Sequence, residues 1–245
     1  MTALPPALVG ISHGTSSPDG RAAVRALHEA VAQALTTRHP DATPSTRLGH
    51  VDVEQPDVPA TLASLAPGEP AIVVPLLLSA GYHVHVDLTE AVDDTGDREV
   101  VLAGALGPDD RLATVLVRRL AEAGVRDDDT VVLSVAGSSD ARAVADCRDM
   151  AERLAAASGR DIRLGFLSAA APLLADAVIE ARADATGRVV VASYLLAPGY
   201  FQDLAEAAGA DLVTPPLLVP GAETPPELVE LVLDRYAAAV ASLVE

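Results

Sequence analysis

The chain has one cysteine, no lysine and few aromatic residues, and each shortage excludes a class of function. The single Cys147 excludes an internal disulfide and any zinc site built on several thiolates. Without lysine, neither Schiff-base chemistry nor the phosphate-binding lysine of a P-loop is available. Aromatic residues make up 2% of the sequence and none is tryptophan, which argues against a stacking platform for single-stranded nucleic acid.

Basic residues are also scarce, because 35 acidic residues face 17 arginines and the net charge is −18. The resulting field repels DNA, RNA and anionic lipid surfaces, so we expect neither nucleic acid nor a membrane as partner. No apolar run reaches the roughly 18–20 residues of a membrane span. The first ten residues lack the basic segment of a signal peptide. We therefore expect a cytoplasmic protein.

Short apolar runs alternate with longer segments of helical periodicity, which is typical of α/β proteins with parallel sheets. The predicted strands are Leu8–Ser12, Arg47–Val53, Ala71–Leu78, Glu99–Leu106, Thr130–Ala136, Ile162–Ser168, Arg188–Leu196 and Leu217–Val219. Predicted helices include Arg21–Arg38, Asp109–Ala123, Asp140–Ala157, Pro172–Ala183, Gln202–Ala208 and Pro226–Leu243, with shorter ones after Pro56 and from about Asp87.

The second half of the chain repeats the first. Arg47-Leu48-Gly49 ends seven residues before Pro56, as Arg163-Leu164-Gly165 does before Pro172, and Ala80-Gly81-Tyr82 matches Pro198-Gly199-Tyr200. We predict two similar α/β domains, residues 1–124 and 130–245, related by internal duplication. Each is expected to be a mostly parallel sheet of about four strands flanked by helices. Gly124–Asp129, with its acidic run Asp127–Asp129, is expected to be a solvated linker.

The two halves differ at three polar positions. His13 matches Ala136, Asp52 matches Ser168, and His83 matches Phe201 across a two-residue gap. Because a duplicated fold needs its backbone residues twice but one active site needs its reactive side chains once, these three residues form the candidate site. His13 and Asp52 lie at the ends of the first two predicted strands and His83 lies just past the third, at the edge where open α/β sheets bind ligands. Two imidazoles and a carboxylate suit a divalent first-row metal, and neutral imidazole accepts protons near pH 7.

These motifs resemble those of the CbiX-type sirohydrochlorin chelatases, class II chelatases that insert a divalent metal into a tetrapyrrole. The resemblance covers essentially the whole chain and rests on Ser12-His13-Gly14-Thr15-Ser16, on Asp52 four residues before Pro56, and on Gly81, His83 and Asp87. It implies a chelatase-like, flavodoxin-like fold in each half. Departures from the family pattern are Ser12 for glycine, Ser16 for arginine, Asp52 for the commoner glutamate, and Leu88-Thr89 for Ile-Pro.

The resemblance also implies an activity and roles for the site residues. The expected enzyme is a lyase that inserts Fe²⁺ or Co²⁺, with Ni²⁺ as a further candidate, into sirohydrochlorin for siroheme or cobalamin biosynthesis, without a nucleotide. His13 and His83 would bind the metal and help to remove pyrrole protons, with Asp52 assisting. The tetrapyrrole would contact Gly14, Thr15, Ser16, Gly81 and Tyr82. The second half is then a degenerate repeat, and a monomer is expected, with a homodimer as the alternative.

Several alternatives remain open at this point. Asp52 could instead be the N-cap of the following helix, and His50 or His85 could join the site. Arg21 and Arg47 are candidate partners for substrate carboxylates. Cys147 is expected to pack in the core.

The rival functions are a metal or tetrapyrrole carrier and a chelatase acting on another porphyrin. A histidine phosphatase is a weaker rival, because that family has arginine directly before its histidine and this chain has Ser12.

Overall fold

The computed structural model describes residues 5–79, 88–92 and 98–243, and its strands form two sheets. The first sheet contains β1 (Ala7–Ser12), β2 (Thr46–His50), β3 (Ala71–Pro75) and β4 (Val100–Leu102). The second contains β5 (Thr130–Val135), β6 (Ile162–Phe166), β7 (Val189–Tyr194) and β8 (Leu212–Val213). All pairings are parallel, in the orders β2-β1-β3-β4 and β6-β5-β7-β8. The predicted α/β architecture of two four-stranded parallel sheets is confirmed.

In the described part of the chain, seven helices with defined bounds flank the sheets, and residues 88–92 are also helical. They are α1 (Pro18–Arg38), α2 (Val58–Ala63), α3 (Asp110–Glu122), α4 (Ala141–Ser158), α5 (Leu174–Asp184), α6 (Tyr200–Glu206) and α7 (Pro226–Ser242). Local sequence explains where several begin. Ser17 accepts a hydrogen bond from the Gly20 amide and Pro18 occupies the first position of α1. Asp57, Asp109 and Asp140 cap α2, α3 and α4 in the same way.

The internal duplication is visible in the backbone at the carboxyl ends of the strands. Gly14 and Gly137 have φ values of 92° and 89°. A Cβ atom on Gly14 would lie 2.0 Å from the Asp52 carbonyl oxygen, and one on Gly137 would lie 1.9 Å from that of Ser168. Further matched features are positive φ at Val53 and Ala169 and cis peptide bonds before Pro56 and Pro172. Both halves therefore bring the turns after their first two strands into close backbone contact.

The final helix of each half packs on the sheet of the other half. Helix α7 packs on β3 and α1, whereas α3 packs on β7 and α4. One hydrophobic cluster joins the four helices through fully buried side chains such as Leu27, Leu116, Met150 and Leu231. The main core is therefore a shared middle layer between the two sheets, and it fixes the position of one sheet relative to the other.

Polar contacts also cross between the halves. The Arg119 guanidinium is buried and donates to the carbonyls of Pro216 and Leu217. Arg235 on α7 donates in turn to the carbonyls of Ala105 and Leu106. We call the final helix of each half, which packs on the sheet of the other half, its exchanged helix. Each half thus uses an arginine of its exchanged helix to satisfy backbone oxygens of the other half.

Two expectations need correction. The predicted last strand, Leu217–Val219, is wrong, and β8 lies earlier at Leu212–Val213. Leu217 and Leu218 are apolar because they are buried in bends, where their amides donate to carbonyls of residues 195 and 196. Asp129 is not solvated, because its carboxylate is buried and accepts hydrogen bonds from Arg188 and from the Arg126 amide. The Arg188 pairing holds the pKa of Asp129 well below its usual range.

Cys147 is buried in the shared core, as predicted. Burial raises the pKa of its thiol to about 11, so the thiolate is not populated near neutral pH.

Candidate active site

His13 and Asp52 lie side by side at the carboxyl edge of the first sheet. His13 directly follows β1, and Asp52 lies two residues beyond β2. The Asp52 amide donates to the His13 carbonyl over 3.0 Å, and the Val51 amide donates to the Ser12 carbonyl over 2.9 Å. Both the His13 and the Asp52 side chains are exposed. The structure therefore brings together two of the three residues singled out by the repeat, with their side chains open to solvent.

The third predicted residue, His83, lies outside the described residues, as do Gly81, Tyr82, His85 and Asp87. Within the part of the chain that the structure describes, no three His, Cys, Asp or Glu side chains are grouped closely enough to hold a metal ion. The metal set of His13, Asp52 and His83 accordingly stays a prediction, as do the tetrapyrrole contacts of Gly81 and Tyr82.

Asp52 does not cap a helix. Its Oδ1 atom accepts a hydrogen bond from the next amide, that of Val53, at 2.7 Å. The cap of α2 is Asp57, whose Oδ1 accepts from the Ala60 amide at 2.9 Å. The capping alternative for Asp52 is therefore wrong, and Asp52 is exposed at the edge.

Glu54 also lies at this edge, and the sequence did not predict it there. Its Oε1 atom accepts a hydrogen bond from the Thr15 amide at 2.8 Å, and its Oε2 atom lies 3.2 Å from Arg21 Nε. Arg21 Nε also donates to the Thr15 carbonyl at 2.9 Å. The Glu54 carboxylate thus ties the turn after β2 to the loop that follows His13. The signal was available in the repeat, where Glu54 matches Ala170.

His50 lies beneath this edge and is buried. Its Nδ1 atom is hydrogen-bonded to Ser12 Oγ at 2.8 Å and lies 3.8 Å from Glu54 Oε1. Burial lowers the pKa of His50, Arg21 and Arg25 lower it further, and Glu54 opposes them. The imidazole is therefore neutral near pH 7 and supports the edge from below.

The loop from Gly14 to Ser17 offers polar groups at the start of α1. Thr15 Oγ1 accepts from the Ser17 amide at 3.1 Å, and Ser16 is exposed. Arg21 is partly exposed beside this loop. Arg47 is not brought here, because it lies at the amino end of β2 and donates to Ser64 Oγ at 3.2 Å. Of the two arginines considered for substrate carboxylates, only Arg21 reaches the His13 edge.

The second half contributes a loop to the same edge. A Cβ atom on Gly20 would lie 2.3 Å from the Pro198 carbonyl oxygen, and one on Gly199 would lie 3.0 Å from Thr15 Oγ1. The next two residues, Tyr200 and Phe201, begin α6 with exposed rings whose centroids are 5.8 Å apart. An exposed aromatic pair of the second half therefore follows directly on the loop that contacts the first half.

The fold and this edge define a class of α/β protein. It is built from a duplicated four-stranded parallel unit, and only one of its two units carries an imidazole and a carboxylate at the edge where such sheets bind ligands.

The CbiX family model matches residues 7–123 and 130–238, and the chain belongs to this family. The sirohydrochlorin ferrochelatase of Priestia megaterium is 31% identical over 129 residues, which are 50% of this chain and 48% of that protein. The sirohydrochlorin cobaltochelatase of Sulfurisphaera tokodaii is 30% identical over 76 residues, which are 30% of this chain and 63% of that protein. The matched region thus spans about half to two thirds of these relatives.

A solved structure agrees over nearly the whole chain. SirB from Bacillus subtilis, determined with Fe³⁺, superposes with a TM-score of 0.78 at 18% sequence identity, over 98% of this chain and 97% of that one. This likeness confirms the predicted chelatase fold. In the described part of the chain, no helix has the length and apolar character to cross a bilayer.

Proposed function

We propose that this protein is a sirohydrochlorin chelatase, a lyase that inserts Fe²⁺ or Co²⁺ into sirohydrochlorin without a nucleotide. The observation that carries the proposal is that a backbone hydrogen bond holds His13 and Asp52 together at the carboxyl edge of the first sheet, in a chain of the CbiX family. The same edge of the second half has Ala136 and Ser168 instead. The names of the two curated relatives support the reaction.

The chemistry of insertion fits this residue set. The metal must lose water and bond to the pyrrole nitrogens, and two protons must leave the macrocycle. An imidazole such as that of His13 can hold a divalent ion or accept a proton, and the exposed Asp52 carboxylate attracts the ion. With His83 as the further ligand, the set stays incomplete, which suits an ion that must be released to the macrocycle rather than kept.

The surroundings of His13 offer partners for the rest of the macrocycle. The hydroxyls of Thr15 and Ser16, at the amino end of α1, suit a substrate carboxylate, and the partly exposed Arg21 adds a cation beside them. The exposed rings of Tyr200 and Phe201 offer an apolar surface for a flat macrocycle. We further propose that the enzyme is a monomer, because the duplication supplies both halves in one chain. We also propose that it is cytoplasmic. Siroheme and cobalamin biosynthesis both stay open as pathways, and Ni²⁺ stays a candidate substrate.

The test is anaerobic absorbance spectroscopy of sirohydrochlorin with Co²⁺ or Fe²⁺. We expect wild-type protein to accelerate the spectral change of insertion and His13→Ala to slow it by about 10²-fold or more. His39→Ala is the matched control, because His39 is exposed at the far end of α1.

The alternatives predict different results. A carrier would bind Co²⁺ or sirohydrochlorin tightly without accelerating insertion. A chelatase for another porphyrin would be inactive with sirohydrochlorin and active with that porphyrin.

A further inference from the structure

Four polar side chains form a cluster beneath the His13 loop, which we call the Glu54 cluster: Ser12, Arg21, His50 and Glu54. Ser12 Oγ and His50 Nδ1 are 2.8 Å apart, His50 Nδ1 and Glu54 Oε1 are 3.8 Å apart, and Glu54 Oε2 lies 3.2 Å from Arg21 Nε. The His50 and Glu54 side chains are 8% and 11% exposed. The cluster therefore holds a carboxylate and an imidazole largely shielded from solvent.

The second half shows that the fold does not require this cluster. The matching positions are Val135 for Ser12, Val144 for Arg21, Phe166 for His50 and Ala170 for Glu54. The structure supports these matches. Ser12 and His50 end their strands, as Val135 and Phe166 do. Arg21 and Val144 each lie four residues after a helix cap, and Glu54 and Ala170 each follow a positive-φ residue. The backbone bonds there are nevertheless the same, with Asp52 to His13 and Ser168 to Ala136 both at 3.0 Å.

Burying polar and charged groups costs free energy unless they are well partnered, and apolar residues make the same turn in the other half. A purely structural role therefore leaves the presence of the cluster in only one half unexplained. The half that has the cluster is also the half that has His13.

We infer that Glu54 is a positioning residue for His13. Its carboxylate holds the Thr15 amide, and its partner Arg21 holds the Thr15 carbonyl, so both peptide groups of Thr15 are fixed. On the other side of His13, Ser12 is fixed through His50. The loop is held on both sides of His13, which restricts where the exposed imidazole can lie. For catalysis this inference rests on the proposed function, and for metal binding it stands without it.

The test compares Glu54→Ala and Glu54→Gln with wild type, using equilibrium titration with Co²⁺ alone and the kcat and KM of insertion. Loss of a residue that orients a metal ligand typically costs about 10–100-fold in metal affinity or activity, and we expect this for Glu54→Ala. The loss should appear in the Co²⁺ dissociation constant and in kcat. Glu54→Gln keeps an oxygen acceptor for the Thr15 amide and should recover part of the loss.

Glu69→Ala is the matched control. Glu69 also accepts a backbone amide, that of Ala66 at 3.0 Å, and a hydroxyl, that of Ser45 at 2.6 Å. It lies before β3, at the opposite edge of the same sheet. Co²⁺ binding and kcat of folded Glu69→Ala should match those of wild type.

A combined Ser12→Val, His50→Phe and Glu54→Ala variant guards against misfolding, because the second half already folds with these residues. We expect it to fold and to bind Co²⁺ as weakly as Glu54→Ala does.

Wild-type Co²⁺ affinity and kcat in Glu54→Ala, or equal losses in Glu54→Ala and Glu69→Ala, would overturn the inference. Wild-type protein that binds Co²⁺ but inserts none would contradict the proposed function alone, and the Co²⁺ titrations would still decide the role of Glu54. If wild type binds no Co²⁺, both proposals are wrong.

Discussion

At the scale of single residues, the edge of the first sheet combines candidate site side chains with a backbone turn that holds them. His13 and Asp52 are joined through backbone atoms, and their side chains are exposed. Replacing either side chain should therefore leave the turn intact. The structural demand falls on Gly14, whose left-handed backbone touches the Asp52 carbonyl.

This contact makes a prediction for Gly14→Ala. A Cβ atom there would be strained at φ 92° and would lie 2.0 Å from the Asp52 carbonyl oxygen. We expect the free energy of unfolding, measured by denaturant titration, to fall by about 2–4 kcal/mol. Gly137→Ala should cost about the same, because its matching contact is 1.9 Å. Gly68→Ala, at φ 73° with no atom within 4 Å, should cost only about 1 kcal/mol. Equal losses at Gly14 and Gly68 would show that the turn contact is unimportant.

His13 and Asp52 could be placed from the sequence because each lies at the end of a predicted strand and differs from its match in the repeat. Glu54 follows Val53, whose φ is positive. No periodicity predicts that the next side chain then turns back under the edge. The partners of Glu54 are also a backbone amide and a side chain of another element, which spacing alone does not reveal.

At the scale of elements, the exchanged helices explain why the two halves share one core. Helices α3 and α7 are the last in their halves, and both cover the sheet of the other half. Sequence periodicity predicted both helices but not the sheet that each one covers, because an apolar helix face fits either sheet. The incorrectly predicted last strand has a similar cause. Leu217 and Leu218 are apolar and buried, as the residues of a strand would be, but they lie in bends.

The exchange predicts that residues 1–124 do not fold cooperatively as an isolated fragment. The fragment would expose the apolar face of α3 and leave the buried Arg119 without its acceptors in the second half. Its β3 would lose the cover of α7. We expect no cooperative thermal transition by circular dichroism for fragment 1–124 or 125–245 alone, and a transition when the two are co-expressed. A cooperative transition in fragment 1–124 alone would contradict a shared core.

At the scale of the whole molecule, the duplication repeats the scaffold without repeating the candidate site residues. Both halves keep the same sheet order, the same glycine turns and the same backbone contacts. Only the first half has the histidine, the carboxylate and the cluster beneath them. The second half supplies core packing and the loop beside Thr15. The proposed chemistry therefore belongs to the first half, and the second half supports it.

The most direct test is a symmetric pair of substitutions in the Co²⁺ insertion assay with sirohydrochlorin. Asp52 and Ser168 occupy matching places. The Asp52 amide donates to the His13 carbonyl and the Ser168 amide donates to the Ala136 carbonyl, both over 3.0 Å. We predict that Asp52→Ala lowers the insertion rate by roughly 10–100-fold, since it removes a carboxylate at the metal-transfer edge. Ser168→Ala should keep the wild-type rate. Equal rates for the two variants would contradict an active site confined to the first half.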